Sequence, residues 1–307
     1  MGELLAAGSI RDFTRDGVVI LRGFIAQEQI REWQAEWWDY IQSSPEGRPL
    51  PWPGRPRRAG VDQGAGFRPS TKLVDLPQVC ALAGQLGGGK FTTGHPFEGH
   101  MIPTWPAAEE EGGSAVDWKP GTGVHLDNYG PHGWTGGFNC GFGLVALLND
   151  TPERAGCFTY WKGSHHSTHA FFSKYPEQID GSFTTKPDWD TFWGEPPHSS
   201  LGGRPASHPG EQFTGQAGDV CVWHGWLMHC GSMNVAAFPR LALFGSFRHR
   251  EMHMPDSPVR PPNFEPADSP KRLQELRYRI PSLNDPWREW GAEVRATVAA
   301  APQASRL

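Results

Sequence analysis

The chain has 307 residues, with 28 Lys or Arg against 33 Asp or Glu and a formal net charge of -5. Its sequence pI is near 6.2, which supplies no basic footprint for nucleic acid or for an anionic membrane surface, so neither is expected as a partner. Hydrophobic residues make up 37%, enough for a sizeable core, and no run approaches the roughly 20 apolar residues that span a bilayer.

The N-terminus has no basic segment leading into an apolar run, which points to a soluble, cytoplasmic protein. The cysteines at 80, 140, 157, 221 and 230 are scattered and form no C-x-x-C pair. Such usage suits a reducing compartment better than a disulfide framework or a zinc-thiolate cluster. Fourteen Trp, 38 Gly and 29 Pro favour many loops and short strands over a helical bundle.

In chain order, a polar stretch from position 12 condenses into the β-branched run Val18, Val19, Ile20, Leu21 between Gly17 and Gly23, a strand signature. Over 27–41, Ile30, Trp33, Trp37 and Ile41 recur at three and four residues and predict a helix with one apolar stripe. Residues 45–69 are rich in Pro and Gly and read as loop. Its Arg55, Arg57 and Arg58 fit a solvated surface better than a nucleic-acid patch. A short helix is predicted over 76–86, then strands over 141–148, 157–161, 219–223 and 241–247. Strands spaced by Gly-rich turns favour a sandwich or barrel over a doubly wound sheet, and Gly87, Gly88 and Gly89 fit no nucleotide-binding spacing. The stretch 173–214 reads as a substrate-covering insertion, and 251–307 as a C-terminal extension of one catalytic domain whose core is about 12–250. Ser269 and Pro270 can start a helix that Pro281 interrupts, and the last dozen residues are expected to fray.

Chemistry concentrates in two segments. In GTGVHLDNYG, His125 and Asp127 are two apart, so on a strand both side chains leave one face and can share a metal ion. In GQAGDVCVWHGWLMHCGSMN, His224 and His229 are rival third ligands. Two imidazoles and one carboxylate with open positions form the facial triad of non-haem iron oxygenases. A second metal site at His165, His166 and His169 is the less favoured reading beside loop packing.

These motifs together resemble the phytanoyl-CoA dioxygenase family of iron(II)- and 2-oxoglutarate-dependent oxygenases. The resemblance rests on DGVVILRGF before a helix, His-x-Asp, GCFTYWKGSHHS from Gly156, and Gly218, Asp219, His229, Asn234 and Arg240 in the late segment. It covers roughly 12–250 and departs from the family at Lys162, where Pro is usual. The resemblance implies an all-β core with flanking helices, a double-stranded β-helix (jelly roll, cupin-like). It selects His229 as the third metal ligand beside His125 and Asp127, and demotes His224 to a pocket role. It also implies Fe(II), 2-oxoglutarate and O2 as cofactors, with Arg240 pairing the far carboxylate of the keto acid, a match for the guanidinium fork.

Further cofactor candidates are Asn139, Thr135 and Trp161. Asn234, Tyr129, Trp134, Trp223, His224 and Lys72 are candidates for the substrate or the surroundings of the metal. Asp127 favours hydroxylation over halogenation, because related halogenases lack that carboxylate. Desaturation, epoxidation and cyclisation use the same triad. The abundant Trp suggests a sizeable small-molecule, natural-product-like substrate. The alternatives are a cupin-fold metal enzyme that does not use 2-oxoglutarate and, least favoured, a non-catalytic binding protein. A homodimer through the aromatic helix or the C-terminal segment is the assembly considered.

Overall fold

The computed structural model describes residues 4–43, 67–107, 118, 141–174, 210–249 and 284–301. In chain order the elements are α1 (Ala7–Asp16), β1 (Val18–Leu21), α2 (Gln27–Ser43), a 3-10 turn (Leu73–Asp75), α3 (Pro77–Gly87), β2 (Phe91–Met101) and β3 (Phe142–Leu147). They continue with β4 (Phe158–Tyr160), α4 (Ser164–Lys174), β5 (Glu211–Gln212), β6 (Val220–His224), β7 (His229–Gly231), β8 (Ala242–His249) and α5 (Ala292–Ala300).

The strands form a large sheet in the order β1-β6-β3-β8-β2 and a small one in the order β5-β4-β7, and every pairing is antiparallel. Strand alternation sorts the large sheet's side chains into two cores. Val220, Val222, Leu144, Ala146, Leu243 and Phe247 pack outward with the helices. Cys221, Trp223, Val145, Leu147, Ala242 and Phe244 face inward and meet Phe158 and Tyr160 of the small sheet. This is the sandwich that the strand pattern predicts and the jelly roll that the resemblance implies; its interior between the two sheets, lined by this second core, is the chamber.

The helical layer follows from simple periodicity. Ile30, Trp33, Trp37 and Ile41 are all buried along one stripe of α2, and the Trp33 indole N–H donates to the Thr71 carbonyl at 2.7 Å. Each large buried aromatic contributes about 2–3 kcal/mol of apolar burial. On α3, Val79, Leu82, Ala83 and Leu86 do the same.

No prediction covers β2, α4 or β5, and three further elements differ from expectation. The polar stretch before β1 is the second half of α1, whose buried Ile10 and Phe13 lie three apart and whose Gly17 closes the helix at φ 74°. Strand β7 is only three residues long, too short for a periodic signal. The C-terminus is helical through Ala300 rather than frayed from 296, because Val294 and the preceding Trp290 are fully buried in the outer core. The predicted helix from Ser269, the loop 45–69 apart from its last three residues, and most of the insertion 173–214 lie outside the described residues. Among the described residues, no helix is long and apolar enough to cross a membrane.

One polar tie fixes β1 against β6. Asp219, at the head of β6, accepts the Gly23 N–H at 2.7 Å and the Gln216 N–H at 3.0 Å, and pairs with Arg22 at 2.6 Å. Burial opposes its charge, but these donors hold the carboxyl below its ordinary range.

Candidate active site

His229 opens β7 and is buried on the chamber side. Its Nδ1 lies 2.9 Å from the Leu227 carbonyl, and a carbonyl can only accept, so Nδ1 carries the proton and the lone pair sits on Nε2. That tautomer makes Nε2 the nitrogen that can ligate a metal. Phe158 stacks on the ring at 5.2 Å and 30°, and Trp223 lies 5.4 Å away on another side. Rotation of the imidazole would break both contacts.

The Trp223 indole has room because the facing residue in the register is Gly143. A Cβ at Gly143 would fall inside the indole ring. Glycine on β3, tryptophan on β6 and phenylalanine on β4 thus form one packed unit that orients His229.

Arg240 lies just before β8 and is buried. Its Nε donates to the Gly156 carbonyl at 3.0 Å, and its Nη2 donates to Thr104 Oγ1. Nη1 is buried with no hydrogen-bond partner. Burial pushes the guanidinium down to about 10, still charged at neutral pH. A buried cation with an unpartnered NH2 group is costly unless an anion completes it. The guanidinium sits 5.5 Å over Phe244, which lies 6.4 Å from Phe158, so Arg240 and His229 share one aromatic wall.

Thr104 is the hub of this corner. Its backbone exchanges two hydrogen bonds with Arg240 at 2.9 and 3.0 Å, and its hydroxyl meets the guanidinium. Its carbonyl also takes the Asn234 amide at 2.8 Å. Asn234 spends its remaining groups on Phe238 O and Ala236 N, so it organises the turn under Arg240. Sequence reading missed Thr104, Phe158, Phe244 and Gly143. The only signal for Thr104 is the pairing with Arg240, 136 residues away, which no local motif carries.

Several predicted residues are not brought together. His224 follows Trp223 on β6 and so faces the opposite way. It stacks on Trp290 at 5.0 Å and 13°, with Phe13 and His165 nearby, behind the sheet rather than in the chamber. Trp161 continues the alternation of β4 on the side away from Phe158 and Tyr160, against Gly210. Lys72 precedes the 3-10 turn and packs near Gly99 on the outer side of β2. His165 and His169 do lie on a helix, α4. His165 points at the Thr14 carbonyl and His169 at Trp226, and among the described residues no three metal-binding groups converge there. His125, Asp127, Tyr129, Trp134, Thr135 and Asn139 lie outside the described residues.

The donor set that is visible fits the iron and keto acid implied by the sequence: an imidazole with Nε2 set for a metal, and a buried cation lacking an anion. An antiparallel jelly roll with those two groups inside it defines the class of cupin-like non-haem iron oxygenases. Within that class the chain belongs to the phytanoyl-CoA dioxygenase family, whose family model matches residues 13–242. It is therefore an enzyme of the iron(II)- and 2-oxoglutarate-dependent group that consumes dioxygen.

Among solved structures, the chain is similar to the epimerase SnoN in complex with Fe3+, alpha ketoglutarate and nogalamycin RO (18% identity, 86% of this chain and 96% of that one, TM-score 0.53). It is also similar to the alpha ketoglutarate dependent carbocyclase SnoK from nogalamycin biosynthesis (16% identity, 80% and 85% covered, TM-score 0.51). A third likeness is to EctD from S. alaskensis with bound Fe (16% identity, 80% and 77% covered, TM-score 0.52). At these identities the likeness shows the fold. No curated protein matches the chain.

Proposed function

We propose that this enzyme hydroxylates a small organic, natural-product-like substrate, with release of succinate and CO2 from 2-oxoglutarate. In this reading His125, Asp127 and His229 hold the iron, and Arg240 holds the far carboxylate of the keto acid. The observation that carries it is the orphaned, buried Nη1 of Arg240 on the same aromatic wall as His229. Bound iron and keto acid together activate dioxygen and supply the oxidising power.

The rest falls to the chain. Leu227 keeps the His229 proton on Nδ1, Phe158 and Trp223 fix the ring, and Thr104 and Gly156 aim the Arg240 fork. Phe244, Phe158 and Val145 exclude water from the co-substrate end, which strengthens the charge pairing there. Asp127 as a carboxylate ligand favours hydroxylation over halide transfer. Desaturation, epoxidation or cyclisation would follow from a different placement of the substrate carbon in the same chamber. Tyr129, Trp134, Thr135 and Asn139 are carried forward as residues around substrate and keto acid. The same reading takes the chain as one catalytic domain acting in a reducing, cytoplasmic setting.

The test is anaerobic reconstitution with iron(II), followed by 2-oxoglutarate and a visible spectrum. A metal-to-ligand charge-transfer band is expected in the parent and absent in His229→Ala. Confirmed iron occupancy without the band would sink the keto-acid assignment and favour a cupin metal enzyme of other chemistry.

A further inference from the structure

A second arginine occupies the same face of β8 as the co-substrate corner. Phe247 faces outward, stacked on Phe142 at 5.2 Å in the outer core. Alternation therefore turns Phe244, Ser246 and Arg248 inward. The register sets Arg248 opposite Thr92 and Ser246 opposite Gly143, which in turn faces Trp223. Along the inner face the order is thus Phe244, then the row of Trp223 and Ser246, then Arg248. Arg240 lies over Phe244 at one end, and Trp223 touches His229 in the middle row. Arg248 stands one row beyond, at the other end.

Arg248 is half-buried, and its Nη1 is buried with no hydrogen-bond partner. Among the described residues it makes no ion pair. On the β3 side, Gly143 and the preceding Gly141 carry no side chain, and the register partner on β2 is the short Thr92. A Cβ at Gly141 would run into the Phe247 carbonyl and the Arg248 backbone. A guanidinium nitrogen left unsatisfied in that setting is costly, and a bound anion would recover that cost.

We propose that Arg248 binds a carboxylate of the organic substrate, so that the enzyme acts on an acid-bearing molecule held between two arginines, one for each acid. The proposal rests on the reading of this chamber as the 2-oxoglutarate site. Arg240 does not reach this end: it lies at the opposite end of the face, where Gly156 and Thr104 hold its Nε and one Nη2 N–H. A carboxylate matches better than a phosphate dianion. Among the described residues, the inner face of the large sheet carries no other Lys or Arg, and one fork balances one negative charge. Trp223, one row away on the same face, supplies an apolar wall for the carbon skeleton.

The probes are 3-phenylpropanoate and decanoate, each compared with its uncharged amide. Binding is measured by calorimetry on anaerobic protein loaded with iron(II) and saturating 2-oxoglutarate. At least one acid is expected to bind the parent tenfold or more tighter than its amide. That contrast is lost in Arg248→Gln and Arg248→Met and partly kept in Arg248→Lys, while the charge-transfer band of the keto acid is unchanged in all three. Equal binding of acids and amides by the parent, absence of binding by every probe, or a contrast that survives Arg248→Gln overturns the proposal. If the parent shows no charge-transfer band, the co-substrate reading has failed instead. The acid–amide contrast then still reports on Arg248 in metal-free protein. Melting temperatures of the variants separate misfolding from lost recognition, and the Met and Lys variants keep the stem packing if Gln does not fold.

Discussion

Arg240 shows how a side chain can be recognisable in the sequence while its reason for being charged is not. Its offset from His229 carried the assignment, but nothing local announced that Thr104 and Gly156 would take two of its donors and leave Nη1 bare. Replacement by Gln is expected to raise the 2-oxoglutarate concentration for half-development of the charge-transfer band by about 100-fold, from loss of a charged bidentate pair worth roughly 3 kcal/mol. Thr104→Val removes only the hydroxyl that steers the fork and should cost about fivefold in the same titration, in line with one modest hydrogen bond. A Thr104→Val protein that titrates like the parent would show that the backbone pairing alone positions Arg240. His224 illustrates the converse. Its chemistry made it a rival ligand, and only the alternation of β6, with Trp223 inward and His224 outward, removes it from the chamber.

The element that sets the geometry of the metal end is the β3–β6 pair, through the close fit of Gly143 and Trp223. Overpacking at such a point typically costs about 1–3 kcal/mol. Gly143→Ala should lower the unfolding free energy measured in urea by that amount and, because Trp223 abuts His229, weaken iron binding as well. Combining it with Trp223→Phe should return part of the stability, a non-additivity expected only for residues in contact. Strict additivity would mean that Gly143 acts through its backbone rather than through the indole. Long periodic elements such as α2 were legible in the sequence because burial repeats every three or four residues. Strand β7 and the switch from polar stretch to α1 were not, since three residues carry no period and the α1 stripe holds few apolar groups.

Across the whole molecule, α1, α4, β6 and the segment before α5 meet in a buried cluster of histidine and tryptophan. His165 and His224 are fully buried, and His166 packs on His165 with 3.8 Å between ring centroids. Trp287 and Trp290 close the cluster from the C-terminal side. Burial, reinforced by the neighbouring imidazoles, pushes His165 well below its ordinary value and His224 down to about 3; burial also lowers His166. An unfolded chain takes up these protons near pH 6.5, whereas the native protein refuses them until far lower. The stabilisation is therefore fully present above about pH 6.5 and is lost progressively as pH falls below it, at up to about 1.4 kcal/mol per pH unit for each group. Urea midpoints should be flat from pH 8 to 7 and fall steeply from 6 to 4, with a shallower fall in His224→Gln. An equal slope in that variant would assign the acid sensitivity elsewhere. A sandwich or barrel was legible from strand spacing, and the jelly roll and the iron chemistry from the family resemblance that the separated motifs carry. This cluster was not, because its members come from four separate parts of the chain.

The order of strands in the large sheet has a consequence for how the protein is made. β1 waits for β6, β2 waits for β8, and even the nearest partners, β3 and β6, pair residues as far apart as Phe142 and His224. No native pairing of that sheet can form on the ribosome until most of the chain has emerged, and α2 meanwhile carries its tryptophan stripe uncovered. Synthesis of this enzyme is thus slow-folding and aggregation-exposed by topology. Its yield in a foreign host should respond to growth temperature and chaperone supply more than to codon choice near the start of the gene.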